Sequence, residues 1–266
     1  MMRWLQKFIR SRTDRSSREK TVRISSAPDR SSKNVGSEFL DQVRKHPELI
    51  KRIEDGINKF GDNPVPKIIQ QLLKEGLTAE AQTMGSIWLS YIGEPAIPHL
   101  ITLLGHDNNT LAMFAAKTLA VVEGSLPHLK KALMSDDPKI RIHAAGSLQF
   151  FGANGKELIP DLCNLIKREV GDQAETIPRR ITEAAGNAAG ALGRMGEAAL
   201  TMVGSLLESD NPNIRFVAVS ALLRIGKPAL PLLIEARARE KDQLVFVALQ
   251  NTINKIEEVE TRLEYD

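Results

Sequence analysis

The 266-residue chain is poor in cysteine and in aromatic side chains, and it lacks any long apolar run. Cys163 is its one cysteine, so an internal disulfide framework is excluded and a reducing compartment is expected. Aromatic residues make up 5% of the chain, whereas hydrophobic residues make up 42%. No apolar stretch approaches the roughly 20 residues that a membrane-spanning helix requires. The composition therefore favours a globular cytoplasmic protein.

The positive net charge comes from the start of the chain. Residues 1–34 hold ten Lys and Arg side chains against three acidic ones, a net charge of +7, whereas residues 35–266 carry −4. Few apolar side chains lie between Arg10 and Asn34, so this stretch is predicted to be disordered. We therefore expect a basic, Ser- and Arg-rich tail at 1–34 and a folded domain at 35–266.

The first ten residues differ from the rest of the tail, because apolar side chains recur there at helical spacing. Trp4 and Phe8 lie on one face of the predicted helix, and Lys7 and Arg10 lie on the other. This pattern predicts a short amphipathic helix that contacts an anionic membrane surface and gives peripheral membrane association. A frayed end without function and an organelle transit peptide are the alternative interpretations.

The folded part repeats itself with a period of about 31 residues. Gly-Glu-Pro-Ala-Ile-Pro at 93–98 reappears as Gly-Lys-Pro-Ala-Leu-Pro at 226–231. A second motif, Asp-Asp-Pro-Lys-Ile-Arg at 136–141, reappears as Asp-Asn-Pro-Asn-Ile-Arg at 210–215. Each unit is therefore predicted to be a first helix opened by proline, a tight turn, a second helix of about fourteen residues and a closing glycine. Period-two alternation is not sustained anywhere, so no sheet is predicted.

This helix pair resembles the HEAT repeat over roughly residues 37–258, and more narrowly the short HEAT-like repeats of bacterial proteins and phycobilin lyases. The resemblance implies an all-α, armadillo-type fold: a right-handed α-solenoid of about six HEAT-like helix pairs with helical caps, whose second helices line a concave groove. Helices near 37–45 and 48–60 are expected to cap one end. About ten extra residues lie within 167–181, and insertions in such folds often map to the binding face.

The family's Asp–Arg ladder between repeats is only partly matched. Asp136 with Arg141 and Asp210 with Arg215 fit it, whereas the other units are expected to replace the arginine by Gln82, Met113, Ala185 and Val245. A series of glycines at 186, 190, 193 and 196 predicts close helix packing, with the floor of a small cavity as the alternative.

The sequence holds no residue set that points to catalysis or to a cofactor or metal. The five histidines do not share helical spacing, and a metal site needs three or four convergent ligands. Cys163 lies among leucines on a predicted helix, which indicates a buried thiol rather than a nucleophile. We therefore predict a non-enzymatic protein, although the resemblance to lyases leaves a lyase-like activity open.

Counting back from each closing glycine predicts which side chains line the groove. The residues that this count offers for partner binding are Tyr91, His143, Phe150, Asn187, Arg194 and Arg224. Aromatic and arginine side chains anchor many protein interfaces. The same count also selects Ile87, Thr118 and Val217, and packing within the solenoid is the alternative role for all of these side chains.

Two functions follow from these patterns. The favoured one is an interaction scaffold or adaptor that binds a protein partner in the groove. The alternative is a bilin-lyase-like or chaperone-type protein that holds a small ligand or a client subunit. Nucleic-acid binding is not expected, because the folded part is acidic.

Overall fold

The structure is a computed structural model that describes Val43 and residues 45–171 and 182–265, with side chains described to residue 259. These residues belong to one compact unit, Ser32–Asp266. The predictions for the basic tail lie outside the described residues, including the membrane contact through Trp4, Lys7, Phe8 and Arg10. Most of the predicted cap helix at 37–45 and much of the insertion also lie outside them.

Within the described ranges the chain is a succession of α-helices, and no strand occurs among these residues. Helix α1 (Pro47–Asn58) precedes a series of helix pairs. The pairs are α2 (Pro64–Lys74) with α3 (Ala79–Ile92), α4 (Ile97–Leu104) with α5 (Asn109–Leu119), α6 (Leu126–Leu133) with α7 (Pro138–Leu148), α8 (Ile159–Gly171) with α9 (Glu183–Met195), α10 (Leu200–Leu206) with α11 (Pro212–Ile225), and α12 (Leu230–Arg239) with α13 (Gln243–Tyr265). The predicted all-α fold of about six helix pairs is confirmed.

The second helices stack in chain order. α3 packs on α5, α5 on α7, α7 on α9, α9 on α11 and α11 on α13, while α1 packs on α3. The first helices α4, α6, α8 and α10 also contact one another in sequence. Contacts between nearest neighbours are those expected of a stacked repeat, in which no single pair can bury its own apolar face.

Every second helix begins at a side chain that caps it. Thr78, for example, accepts a hydrogen bond from the Ala81 N–H at 3.2 Å, and Asn108 accepts from the Thr110 and Leu111 N–H groups at 3.0 and 3.2 Å. The caps of α3, α5, α7, α9, α11 and α13 are Thr78, Asn108, Asp137, Thr182, Asn211 and Asp242. Each cap satisfies N–H groups that the first helical turn leaves unpaired.

The closing glycines turn the chain into the next unit. Gly93 and Gly226 have φ angles of 77° and 81°, a region that favours glycine over residues with a Cβ atom. A turn of 3₁₀-helix follows each of them, at Glu94–Ala96 and Lys227–Ala229, and leads into the next first helix. These 3₁₀ turns, which hold the first proline of each motif, are absent from the sequence-based prediction.

Buried core residues recur at a fixed number of positions after the caps. The residue seven positions after each cap is buried in all six second helices, and it is small in five of them. Gly85 shows why, because a Cβ atom there would lie 2.9 Å from Leu72. In order, the six residues are Gly85, Ala115, Ala144, Ala189, Ala218 and Leu249. At Gly85 the small residue lets α3 approach α2, the first helix of its own pair, closely.

Candidate partner-binding face

Three of the six predicted partner-binding residues are half-buried and hydrogen-bonded within the chain. The Tyr91 hydroxyl donates to Glu54 Oε1 at 2.6 Å, which joins α3 to α1. Tyr91 also lines an open cavity of about 590 Å³ together with Glu94 and Glu123. It therefore has a structural role at the first end of the helix stack.

His143 and Asn187 bridge neighbouring second helices. His143 Nδ1 donates to the Lys139 carbonyl at 2.9 Å, and its Nε2 lies 3.0 Å from the Asn109 side-chain oxygen on α5. Asn187 Nδ2 donates to the Ile142 carbonyl at 3.1 Å. These bonds connect α5, α7 and α9 through polar groups.

The other three predicted residues, Phe150, Arg194 and Arg224, are exposed. Phe150 keeps 44% of its surface open, which is a large fraction for an aromatic side chain. Each of the three lies two residues before a closing glycine, in three consecutive units. Sequence reasoning missed a fourth member, Lys255, which occupies the equivalent place in α13 and is also exposed. We call Phe150, Arg194, Arg224 and Lys255 the pre-glycine row.

Counting back from closing glycines did not select Lys255, because α13 has no glycine at the position where the other units end. Glu257 occupies that place. The cap supplies the missing signal, since Lys255 follows Asp242 by thirteen residues, just as Arg224 follows Asn211 and Phe150 follows Asp137. Arg194 follows Thr182 by twelve residues, because the stretch from cap to closing glycine is one residue shorter in α9.

Glycines bring the row's neighbouring members together. A Cβ atom on Gly193 would lie 2.4 Å from Arg224 Cβ and 3.0 Å from its Cδ, so the stem of Arg224 runs across α9 next to Arg194. One turn earlier, a Cβ atom on Gly190 would lie 3.0 Å from the end of the Gln149 side chain. Gly190 and Gly193 thus serve close helix packing, the first of the two roles considered for this series.

Two arginines outside the row connect adjacent units, with partners that differ from the implied Asp–Arg ladder. Arg141 Nε donates to Glu169 Oε1 at 2.6 Å, at the end of α8 in the next unit. Arg215 donates to both Glu240 carboxylate oxygens, at 2.7 and 2.8 Å, after α12 in the next unit. The aspartates of the motif contribute their backbone carbonyls instead, 2.9 Å from Arg141 and 3.1 Å from Arg215.

Counting from the caps gives different equivalents of these arginines in three units. Both arginines lie four residues after their caps, and so does Gln82, whose side chain donates to the Leu77 carbonyl at 2.6 Å. The same count in the remaining units gives Ala112, Gly186 and Phe246, one residue away from the expected Met113, Ala185 and Val245. Arg141 and Arg215 bond both to a glutamate of the next unit and to a backbone carbonyl just before their own helix. The bond of Gln82 to the Leu77 carbonyl is of the second kind.

The described residues offer little to a catalytic mechanism. Burial raises the pKa of the Cys163 thiol to about 11, which keeps it protonated at neutral pH. No group of three or more His, Cys, Asp or Glu side chains among the described residues is arranged to hold a metal ion. In the same part of the chain, none of the helices combines the length and apolar character needed to cross a membrane.

Comparison with known proteins identifies the repeat. Residues 182–251, which hold α9 to α12 and the start of α13, match the family model described as HEAT repeats. A crystal structure of an engineered protein is similar at 19% identity over 74% of this chain and 98% of that chain, with a TM-score of 0.35. No curated protein matches the chain. The narrower resemblance to phycobilin lyases stays a prediction. Residues 182–251 are therefore similar to HEAT repeats, and the described helix pairs form an all-α solenoid.

Proposed function

We propose that this protein is a non-enzymatic scaffold or adaptor that binds a protein partner along its second helices, at the pre-glycine row. HEAT repeats generally mediate protein–protein interaction, and the match covers Arg194 and Arg224. The observation that carries the proposal is the exposure of Phe150, Arg194 and Arg224 at one repeat position in consecutive units. Aromatic and arginine side chains are the types most enriched at interface hot spots.

The alternative, a bilin-lyase-like protein, requires a group that reacts with the ligand. The one thiol of the chain is Cys163, which is 1% exposed and has a raised pKa. A protonated thiol without access to solvent is a poor nucleophile. The scaffold is therefore the better supported function.

Affinity capture with quantitative mass spectrometry tests the proposal. The protein is the full chain from its own host, and the variant Phe150→Ala/Arg224→Ala removes two members of the row. The matched control, Met134→Ala/Ile234→Ala, removes two exposed apolar side chains from outside the row, which are 56% and 44% exposed. We expect a partner that is lost with the row variant and retained with the control.

Capture of the same proteins by the wild type and the row variant would contradict binding through the row. A parallel measurement addresses the alternative function: mixing the protein with free bilin should leave the bilin absorbance spectrum unchanged. A spectral shift that depends on the protein would favour the lyase-like function instead.

A further inference from the structure

We propose that the partner segment is acidic and extended, with carboxylates at every third residue that pair in turn with Arg194, Arg224 and Lys255. This inference rests on the proposed function and names the chemistry of the partner. Phe150 stands next in the row and takes an apolar side chain of the same segment.

The charge of the row is the first argument. Arg194, Arg224 and Lys255 lie in three consecutive units, all exposed, and none of them forms an ion pair with another described residue. Some other exposed cations of the described chain do pair with carboxylates. Lys130 lies 3.3 Å from Asp161, Lys139 pairs with Asp107, and Arg239 pairs with Glu208. A row of uncompensated cations is complementary to a segment of negative charge.

The spacing of the row is the second argument. The axes of packed helices lie about 8–10 Å apart. Although the stem of Arg224 packs on Gly193 beside Arg194, long Arg and Lys side chains can place their charged ends at about that interval. An extended chain in the polyproline II conformation has three residues per turn and rises about 3.1 Å per residue, which places every third side chain on one side about 9 Å apart. One carboxylate in three residues therefore matches one cation in each unit.

Phe150 lies at one end of the row and therefore sets the direction in which the partner segment binds. It occupies the unit before Arg194, and the Arg194 carbonyl lies 3.8 Å from the place of a Cβ atom on Gly152, two residues after Phe150. An apolar residue three positions from the first carboxylate would therefore reach Phe150. The exposed aromatic ring loses its contact with water when such a residue covers it.

A nucleic acid suits this row less well than a protein segment. Glu197 and Glu258 are exposed and lie three residues after Arg194 and Lys255, respectively. Residues 35–266 also carry a net negative charge. A backbone with a phosphate at every nucleotide would bring more negative charge close to these carboxylates than a segment with one carboxylate in three residues.

A synthetic peptide tests the inference on the full chain by fluorescence anisotropy. The spaced peptide, Leu-Pro-Ser-Glu-Pro-Ser-Glu-Pro-Ser-Glu, carries fluorescein, favours polyproline II and holds its glutamates three residues apart. The clustered peptide has the same composition with its three glutamates adjacent. Arg194→Glu/Arg224→Glu reverses the charge of the row, and Lys74→Glu/Lys131→Glu makes the same change in net charge on exposed lysines of α2 and α6. Both variants keep the basic tail, so its attraction for the peptide is common to all the proteins compared.

We expect the spaced peptide to bind the wild type, with a Kd at least tenfold higher for the Arg194→Glu/Arg224→Glu variant. The Lys74→Glu/Lys131→Glu variant should change the Kd by less than about threefold, because surface charges far from the peptide are screened by salt. Arg194→Gln/Arg224→Gln keeps the side-chain stems that pack on α9, and it should weaken binding about three- to tenfold without lowering the melting temperature.

Three results would overturn the inference. They are equal affinity of the row and control variants, equal affinity of the spaced and clustered peptides, and tighter row-dependent binding of a single-stranded oligonucleotide than of the spaced peptide. A partner captured through the row, combined with no row-dependent peptide binding, would reject the acidic segment and keep the scaffold. Failure of both experiments would reject the scaffold as well.

Discussion

At the scale of single residues, Gly190 and Gly193 lie one turn apart on α9, but they face different kinds of atoms. Gly190 faces the end of a flexible side chain, whereas Gly193 faces atoms on or next to the backbone of α11. A Cβ atom on Gly190 would meet the end of the Gln149 side chain, which can rotate away. A Cβ atom on Gly193 would lie 2.4 Å from Arg224 Cβ and 3.1 Å from the Ala221 carbonyl oxygen. Neither of these atoms can move without a shift of α11.

Gly193→Ala is therefore expected to lower the free energy of unfolding by about 1–3 kcal/mol, as overpacking of a core does. Gly190→Ala is the matched control. Its gain in helix propensity, roughly 0.5–1 kcal/mol, offsets the displacement of Gln149, so its net effect should be smaller than about 1 kcal/mol. Urea-induced unfolding followed by circular dichroism measures both variants. Equal losses in the two variants would contradict this difference in packing.

Glu240 is the residue at which pH and stability are most directly connected. Hydrogen bonds from Arg215 hold the pKa of Glu240 below its ordinary value, although burial acts in the opposite direction. A carboxyl group of this kind stabilises the fold above its unfolded pKa, and it loses this contribution as the pH falls through its folded pKa.

Glu240→Gln is expected to lower the free energy of unfolding at pH 7 by about 1–3 kcal/mol, since charged hydrogen bonds are lost. The difference from the wild type should begin to shrink as the pH falls below about 4.3, the ordinary pKa of Glu in an unfolded chain, and should vanish only once the pH has fallen through the lower pKa of the folded state. Glu235→Gln is the control, because Glu235 is exposed and 3.4 Å from Arg239. Its effect should stay below about 1 kcal/mol. Denaturant unfolding at pH 7 and pH 3 measures the difference in free energy of unfolding between wild type and variant. A difference of the same size at both pH values would contradict this expectation.

At the scale of single helices, short elements depend on their ends. α5 has eleven residues and lacks a proline in its first turn, in contrast to α7 and α11. The N-terminus of α5 therefore depends on its cap Asn108, whose side-chain oxygen accepts hydrogen bonds from two N–H groups. The cap residues were recognisable from the sequence in part, because they precede the prolines of the second motif.

Asn108→Ala is expected to lower the free energy of unfolding by about 1 kcal/mol, because the Thr110 and Leu111 N–H groups lose their acceptor. Asn108→Asp keeps an acceptor and adds negative charge at the helix N-terminus, so it should be at least as stable as the wild type. The midpoint of guanidinium-induced unfolding distinguishes the two. Destabilisation of the same size in the Asp variant would show that the cap is not the cause.

At the scale of the whole molecule, stability should vary along the helix stack. α9 packs against the second helices on both sides, α7 and α11, whereas α1 packs on α3 at one end of the described pairs. In a stacked repeat each unit is stabilised chiefly by its neighbours, so the ends open more readily than the centre.

Hydrogen exchange measured by mass spectrometry is therefore expected to be slowest for amides of α9 and its neighbours α7 and α11. Amides of α1 should exchange at least about tenfold faster, because among the described helices α1 packs chiefly against α3 alone. Uniform protection from α1 to α11 would indicate that the helix stack opens as a single unit.

The candidate face was predictable in position but not in the state of each side chain. The repeat count selected Phe150 and Arg224, which are exposed, yet it also selected Thr118 and Val217, which are buried. The count measures the direction of a side chain on its own helix. Burial also depends on how closely the next helix approaches, and the small residues at the helix contacts make that approach close.

The sequence by itself determined the helix pairs, their number and their order, because prolines, capping residues and closing glycines act within a few residues along the chain. Only the tertiary structure decided that Arg215 reaches Glu240, that Arg141 reaches Glu169, and that Lys255 extends the row of exposed cations. These relations join residues in neighbouring units, or depend on a register that no closing glycine marks. Local propensity therefore specifies the repeat, whereas packing between repeats decides which charges are paired and which remain open to a partner.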